Sequence, residues 1–140
     1  VLFAGELRRA GLDQPILGGE DLFTTAYLKG GDAVVGSLLY ATFSPHRESP
    51  KVVEFKQDYG KNNPDRFAAL AYDTFMLIAH AIRTAGSTRT SRVRDAIVAI
   101  KDFEGATGRT SFTPKGTPIK DPFIYSVIKD GDDEKFVLLQ

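Results

Sequence analysis

Residues 15–28 read PILGGEDLFTTAYL. A short apolar run, Pro15-Ile16-Leu17, meets two glycines, and two acids follow at once, Glu20 and Asp21. The run has the length of a buried strand ended by Gly18-Gly19, and Leu22 to Leu28 has the spacing of a short helix stopped by Gly30-Gly31. Upstream, Leu2, Phe3, Leu7 and Ala10 recur at helical spacing, with Gly11 placed as a stop. Downstream, Ser37 to Phe43 (SLLYATF) reads as another strand. Ser49-Pro50 is a helix start, Ser49 as cap and Pro50 at the first helical position. Val52, Phe55 and Tyr59 then mark a buried face. Asn63-Pro64 repeats the start signal, and the longest helix follows, with Phe67, Leu70, Ala71, Thr74, Phe75, Ile78, Ala81, Ile82 and Ala85 forming a wide apolar stripe closed by Gly86. A further helix runs from about 91 to 100. RTSF (109–112) is a short strand among turns, and the end is a β-hairpin joined across Asp130-Gly131. Strands alternating with helices predict an α/β fold with a largely parallel sheet. In such sheets ligands gather where strands hand over to helices, which is where residues 18–22 fall.

Composition narrows the function classes. The 140 residues suffice for a real core, and 42% hydrophobic with 11% aromatic is ordinary for a globular protein. Eighteen basic residues balance eighteen acidic ones, so no net field draws the chain to nucleic acid or to an anionic membrane. The longest apolar runs fall well short of the roughly 18 residues of a membrane span. With no cysteine, disulfides, thiolate chemistry and Cys-based zinc sites are excluded together. The chain opens directly inside an amphipathic helix, without an initiator Met or a signal peptide, which reads as a piece of something longer.

Nothing in the chain assembles a catalytic centre. His46 lies in the polar loop SPHRESP, and His80 falls off the apolar stripe of its helix. There is no G-x-S-x-G elbow, no H-E-x-x-H and no G-x-x-x-x-G-K loop. GATG at 105–108 reads as a turn, not a phosphate cradle, because no helix follows it. No metal ligand set or cofactor motif is present. The Glu20-Asp21 pair supports two readings. One is helix capping, worth about 0.3–2 kcal/mol, for which Asp21 is well placed. The other gives Glu20 a cationic ligand, a charged hydrogen bond worth about 1.5–3 kcal/mol. Phe67 is either the first core residue of its helix or a pocket wall at the helix N-terminus. Tyr72 and Asp73 read as packing and surface positions.

The order of LRRAGLDQPILGGEDL (7–22), GDAVVGSLLYATFSP (31–45), DYGKNNPDRFAALAYDTFMLIAHAIRTAGS (58–87), VRDAIVAIKDFEGATGRTSFTPKG (93–116) and YSVIKDGDDEKFVLL (125–139) resembles the periplasmic leucine/isoleucine/valine-binding protein family, the solute receptors of branched-chain amino-acid ABC importers. The resemblance covers essentially the whole chain and matches the C-terminal part of such a receptor. It implies a type I periplasmic-binding-protein-like fold with two Rossmann-like lobes that close on a ligand. Residues 1–43 would then belong to the second lobe, 44–120 to the first, and 121–140 would return to the second as the hairpin. It implies Glu20 as partner of the ligand's α-ammonium and Phe67 as aromatic wall, with Asp21, Leu22 and Phe23 lining the site. The opening question is then answered by Glu20 as counter-ion and Asp21 as cap. The implied partners are a small-molecule ligand, an ABC permease and the N-terminal part of the receptor, with a dimer of the fragment as a further possibility. The implied location is periplasmic, or extracellular and membrane-attached. An acid at position 20 suits an amino acid better than a plain carboxylic acid. The alternatives are a binder of aromatic or other small carboxylic acids, and the ligand-sensing domain of a receptor or regulator.

Overall fold

The computed structural model describes residues 2–60 and 64–139. The chain divides into two units, residues 1–41 with 122–140, and residues 42–121.

The first unit is built on a four-stranded sheet of order β1-β2-β6-β7. Its elements are α1 (Leu2–Arg9), β1 (Leu17–Gly18), a 3-10 turn (Glu20–Leu22), α2 (Thr25–Leu28), a second 3-10 turn (Gly31–Val34) and β2 (Leu38–Ala41), with β6 (Phe123–Asp130) and β7 (Asp133–Leu138) returning at the end. Of these strands β1 and β2 pair in parallel, while β2–β6 and β6–β7 are antiparallel. The α/β class therefore stands, but the largely parallel sheet expected from the alternation is represented here by one pair. Strands as close in sequence as β6 and β7 can only be joined antiparallel. Their turn residues are Gly131-Asp132, flanked by the Asp130↔Asp133 pair, with Gly131 at φ +67° as the first central residue of a tight hairpin.

Tyr27, Val34, Leu39 and Val127 form the core of this unit, joined by Ala4 from α1. Ala4 is small enough to let the helix close on the second 3-10 turn. The larger members of the expected α1 stripe do not follow it inward, since Leu2 and Phe3 are 86% and 71% exposed. Buried Ser37 is satisfied locally. Its hydroxyl donates to the Val34 carbonyl at 2.6 Å and pairs with the Tyr27 hydroxyl at 2.9 Å.

The second unit holds α3 (Pro50–Tyr59), α4 (Arg66–Ala85), α5 (Thr90–Ala99) and an antiparallel sheet of β3 (Phe103–Gly105), β4 (Gly108–Phe112) and β5 (Pro118–Lys120). Ser49 occupies the cap position of α3 without a side-chain bond, and Pro50 opens the helix. Val52 and Phe55 are buried as expected, but Tyr59 is exposed and meets Phe55 with its ring tilted, at 5.8 Å between ring centres. The start signal at Asn63-Pro64 involves Asn63, which lies outside the described residues. The cap of α4 is Asp65, which accepts from the Ala68 N–H at 2.9 Å, and Gly86 ends the helix in the left-handed conformation. The RTSF strand is β4. Its neighbours β3 and β5, three residues each, are too short to show a period.

The core of this unit is Phe43, Val52, Phe55, Ala69 and Ala106. It does not take the apolar stripe of α4. Buried on that helix are Ala69, Asp73 and Ala81, whereas Phe67, Phe75 and Ile78 are exposed. Of the expected stripe Ala81 is buried, with Leu70 and Ile82 partly so, while the face carrying Ala69 and Asp73 beside it is also packed.

Candidate functional site

The stretch that joins β1 to α2 is shaped by close approach. A Cβ on Gly18 would sit 2.6 Å from both Leu22 Cδ1 and Leu39 Cδ2, so a larger residue there would have to push two leucine side-chain tips aside. The chain then enters the 3-10 turn, with Glu20 half-buried and Asp21 exposed. Leu22 packs against the core of the first unit. Phe23 stacks obliquely on Tyr125 and Phe136, with ring centres 4.4 and 4.5 Å away. Its side chain is thus part of an aromatic cluster that ties the turn to β6 and β7.

The cap of the following helix is Thr24, whose Oγ1 accepts from the Tyr27 N–H at 3.3 Å. Asp21 stands inside the 3-10 turn, three residues too early to cap α2. The expectation that Asp21 is the helix cap is corrected accordingly. The cause is the extra 3-10 turn, which takes up both acids and ends before the helix begins. Tyr40 is a neighbour that the sequence reading passed over. Its ring lies 3.4 Å from where a Cβ on Gly19 would sit, and it is half-exposed. The period-two alternation of SLLYATF, with Leu39 and Ala41 buried, is the signal that turns Tyr40 outward.

In the second unit Phe67 is the second residue of α4. It is 65% exposed, with the Arg66 guanidinium 4.6 Å above its ring. Phe67 is therefore not a core residue of this unit, and its ring is open to a contact.

Asp73, expected at the surface, is 4% exposed. Its carboxylate accepts from the Ala106 and Thr107 N–H groups, each at 2.7 Å, and from the Thr107 hydroxyl. The GATG segment is indeed a turn, joining β3 to β4 through the Gly105↔Gly108 pair. Its free amides are taken by the protein's own carboxylate and leave no cradle for an anion. The Thr107 hydroxyl also accepts from Lys120 Nζ at 2.6 Å, and Lys120 donates to the Thr110 hydroxyl at 2.6 Å. Burial pushes the Lys120 ammonium below its ordinary range, against the opposing pull of Asp73. The signal for Asp73 was weak: an acid beside an apolar stripe, with its partners more than thirty residues away.

Of the histidines, His46 is exposed and His80 packs edgewise on Phe103 at 5.9 Å between ring centres. Among the described residues no group of three His, Cys, Asp or Glu could hold a metal ion, and no helix is long and apolar enough to cross a membrane.

A model of the family described as periplasmic binding protein matches residues 1–132. No curated protein matches the chain. Among solved structures, a protein assigned to a branched-chain amino acid ABC transporter of Rhodospirillum rubrum is 31% identical, with a TM-score of 0.77 over 94% of this chain and 39% of that one. The leucine binding protein of Thermotoga maritima is 28% identical, with a TM-score of 0.70 over 97% of this chain and 40% of that one. The branched-chain amino acid transporter substrate binding protein of Streptococcus pneumoniae, solved with isoleucine, is also 28% identical, with a TM-score of 0.63 over 97% of this chain and 40% of that one. The chain thus spans about two fifths of the length of the structures it matches.

Proposed function

Because the chain belongs to the periplasmic binding protein family, we propose that it is part of an extracytoplasmic solute-binding receptor that delivers an amino acid, of branched-chain type, to an ABC permease. The family match over residues 1–132 carries this reading, and the likeness to branched-chain receptors at 28–31% identity supports the ligand class. The two units correspond, in this reading, to contributions to the two lobes of the receptor, and the receptor's N-terminal part completes them. A dimer of the fragment is a second way to cover its apolar surfaces. The role is binding, not catalysis.

Glu20 is the acid for the ligand's α-ammonium. It is half-buried, on a turn whose glycines lie close under the Leu22, Leu39 and Tyr40 side chains, so an ammonium there exchanges water for a charged acceptor. Such a bond contributes about 1.5–3 kcal/mol, or about 10- to 100-fold in affinity. Phe67 offers an aromatic wall for the ligand's apolar side chain, with Asp21 and Leu22 as further lining. Phe23 acts by holding the turn in place through its ring contacts.

Calorimetric titration of the longest natural form with the twenty amino acids and a set of aromatic and short-chain carboxylic acids tests this. The expected result is tight binding of leucine, isoleucine or valine, weakened at least tenfold by Glu20→Gln. Binding of aromatic acids in place of amino acids, or binding indifferent to Glu20→Gln, overturns it.

A further inference from the structure

β1 and β2 lie parallel, with Gly18 opposite Leu39, so the two strands end side by side. The turn that bears Glu20 follows β1, and Tyr40 stands one residue before the end of β2. Ligands of α/β sheets meet the carboxyl ends of parallel strands, where the chain turns away and leaves a crevice. Leu39 and Ala41, the neighbours of Tyr40 on its strand, are each 1% exposed, whereas Tyr40 is 48% exposed. The outer end of its ring reaches the glycine turn. Cε1 lies 3.4 Å, and the hydroxyl oxygen 3.8 Å, from where a Cβ on Gly19 would sit. The next residue after Gly19 is Glu20. The hydroxyls of Tyr27 and Tyr72 are spent inside the fold, on Ser37 and Asp58. Among the described residues the Tyr40 hydroxyl has no such partner.

We infer that Tyr40 is a second ligand contact, its phenol oxygen accepting a hydrogen bond from the same α-ammonium that Glu20 holds. The inference rests on the proposed role of Glu20 and deepens it. An ammonium carries three donors and no acceptor, so it takes more than one partner when it leaves water. A phenol beside the acid supplies the further acceptor without a second negative charge, and its own proton stays turned to solvent. The ligand group at this point is the ammonium and not the carboxylate, because a carboxylate beside Glu20 would set two like charges together. Tyr40 and Glu20 thus select together for a ligand that carries an amino group, and against the same acid without one. The glycine at position 19 is part of the arrangement, since it presents bare backbone to the hydroxyl end of the ring.

The test is calorimetric titration of the longest natural form with the tightest of leucine, isoleucine and valine, and with the same acid lacking its amino group. Wild type, Tyr40→Phe, Glu20→Gln and the double variant are compared, alongside their thermal midpoints without ligand. Tyr40→Phe is expected to weaken the amino acid about tenfold and to leave both the deaminated acid and the unliganded midpoint unchanged. Its effect is expected to shrink in the Glu20→Gln background, because the two residues hold one group. Amino-acid affinity indifferent to Tyr40→Phe overturns the inference. An equal loss with the deaminated acid also overturns it, by placing the hydroxyl on another part of the ligand. A lowered unliganded midpoint overturns it as well, by showing that the hydroxyl is spent on a contact within the whole receptor. Weakening by Glu20→Gln without weakening by Tyr40→Phe removes Tyr40 alone. No amino-acid binding at all removes the reading of the receptor itself, and Tyr40 with it.

Discussion

Along β6, Tyr125 and Val127 reach complete burial by simple alternation, on a strand paired at both edges. Along α4, the buried positions are two alanines and a carboxylate, Asp73, while Phe67, Phe75 and Ile78 face outward. The first unit is closed by apolar surface on a sheet, with the Phe23–Tyr125–Phe136 rings sealing one end. The second has its longest helix fastened to a β-turn by one charged group that accepts two backbone N–H bonds and a hydroxyl. Apolar area is non-directional and tolerates small changes of shape, whereas a buried carboxylate is all or nothing. The comparison therefore predicts that single substitutions at the polar fastening cost as much as the loss of a whole buried ring.

The largest effect belongs to Asp73→Ala. It orphans the Ala106 and Thr107 amides and leaves the half-buried Lys120 without its bridged counter-charge. Removing one partner of a buried charged network costs about 3–5 kcal/mol. Asp73→Asn is expected to fall close behind, because its NH₂ would face donors. Urea denaturation followed by circular dichroism measures both. A loss below about 1 kcal/mol for Asp73→Ala would break the contrast between the units.

Gly105 sharpens the same point at a smaller size. An added Cβ would sit 2.3 Å from Asp73 Oδ2, so Gly105→Ala must push the carboxylate off its amides. Overpacking of this kind costs about 1–3 kcal/mol. If the clash with Asp73 is the cause, the penalty vanishes in the Asp73→Ala background, and a double-mutant cycle shows strong coupling. Additive losses would place the strain elsewhere in the β3–β4 turn.

This pair also shows where the sequence was readable. The hairpin was legible to within a residue, because Asp130-Gly131 carries its turn chemistry locally. The C-terminal end of α4 was legible through Gly86, whereas its start was read from Asn63-Pro64 and the cap is Asp65. The strand-to-helix handover at residues 15–28 was legible as a handover, but its cap was not. The 3-10 turn that takes up the acids moved that role from Asp21 to Thr24. The buried face of α4 was legible only in part, at Ala81, because periodicity reports which residues can be buried, and not which neighbour arrives to bury them. The neighbour is a turn thirty-three residues on, and it asks for an acid. Glu20 and Phe67 became candidate ligand contacts only through resemblance, since capping and packing explain those residue types equally well.

A third effect is confined to alkaline solution. The Tyr72 hydroxyl is pushed up to about 12 from its ordinary 10, first by burial and then by donation to Asp58 at 2.8 Å. A tyrosine held above its unfolded value contributes stability that is intact below pH 10 and lost as the pH rises toward 12. Lys120, lowered by burial, acts with the opposite sign as the pH approaches its ordinary 10.5. The difference between wild type and Tyr72→Phe isolates the phenol. Wild type is expected to lose stability more steeply than the variant between pH 10 and 12. An ultraviolet titration of wild type against Tyr72→Phe should lose a component ionising near 12 in the variant. Parallel stability curves would mean that the Tyr72–Asp58 contact does not persist in solution.

The smallest expected change in stability is at Phe67, and it separates a fastening residue from a binding one. The ring is 65% exposed and its described ring contact is a cation–π one, with the Arg66 guanidinium. An exposed cation–π contact is worth about 0.5–1 kcal/mol, and truncating an exposed side chain usually moves stability by within about 0.5 kcal/mol. Phe67→Ala in the 140-residue chain should therefore melt almost with wild type, in contrast to the collapse expected at Asp73. In the longest natural form the same substitution is expected to weaken amino-acid binding several-fold while the unliganded midpoint stays in place. A loss above about 1 kcal/mol in the chain alone would mean that Phe67 already packs within its own unit, and a residue spent on packing is not free to serve as a pocket wall. Unchanged stability with unchanged affinity would leave Glu20 and the Tyr40 hydroxyl as the proposed polar anchors and shift the apolar wall to a neighbour such as the Tyr40 ring, which stands beside the same glycine turn.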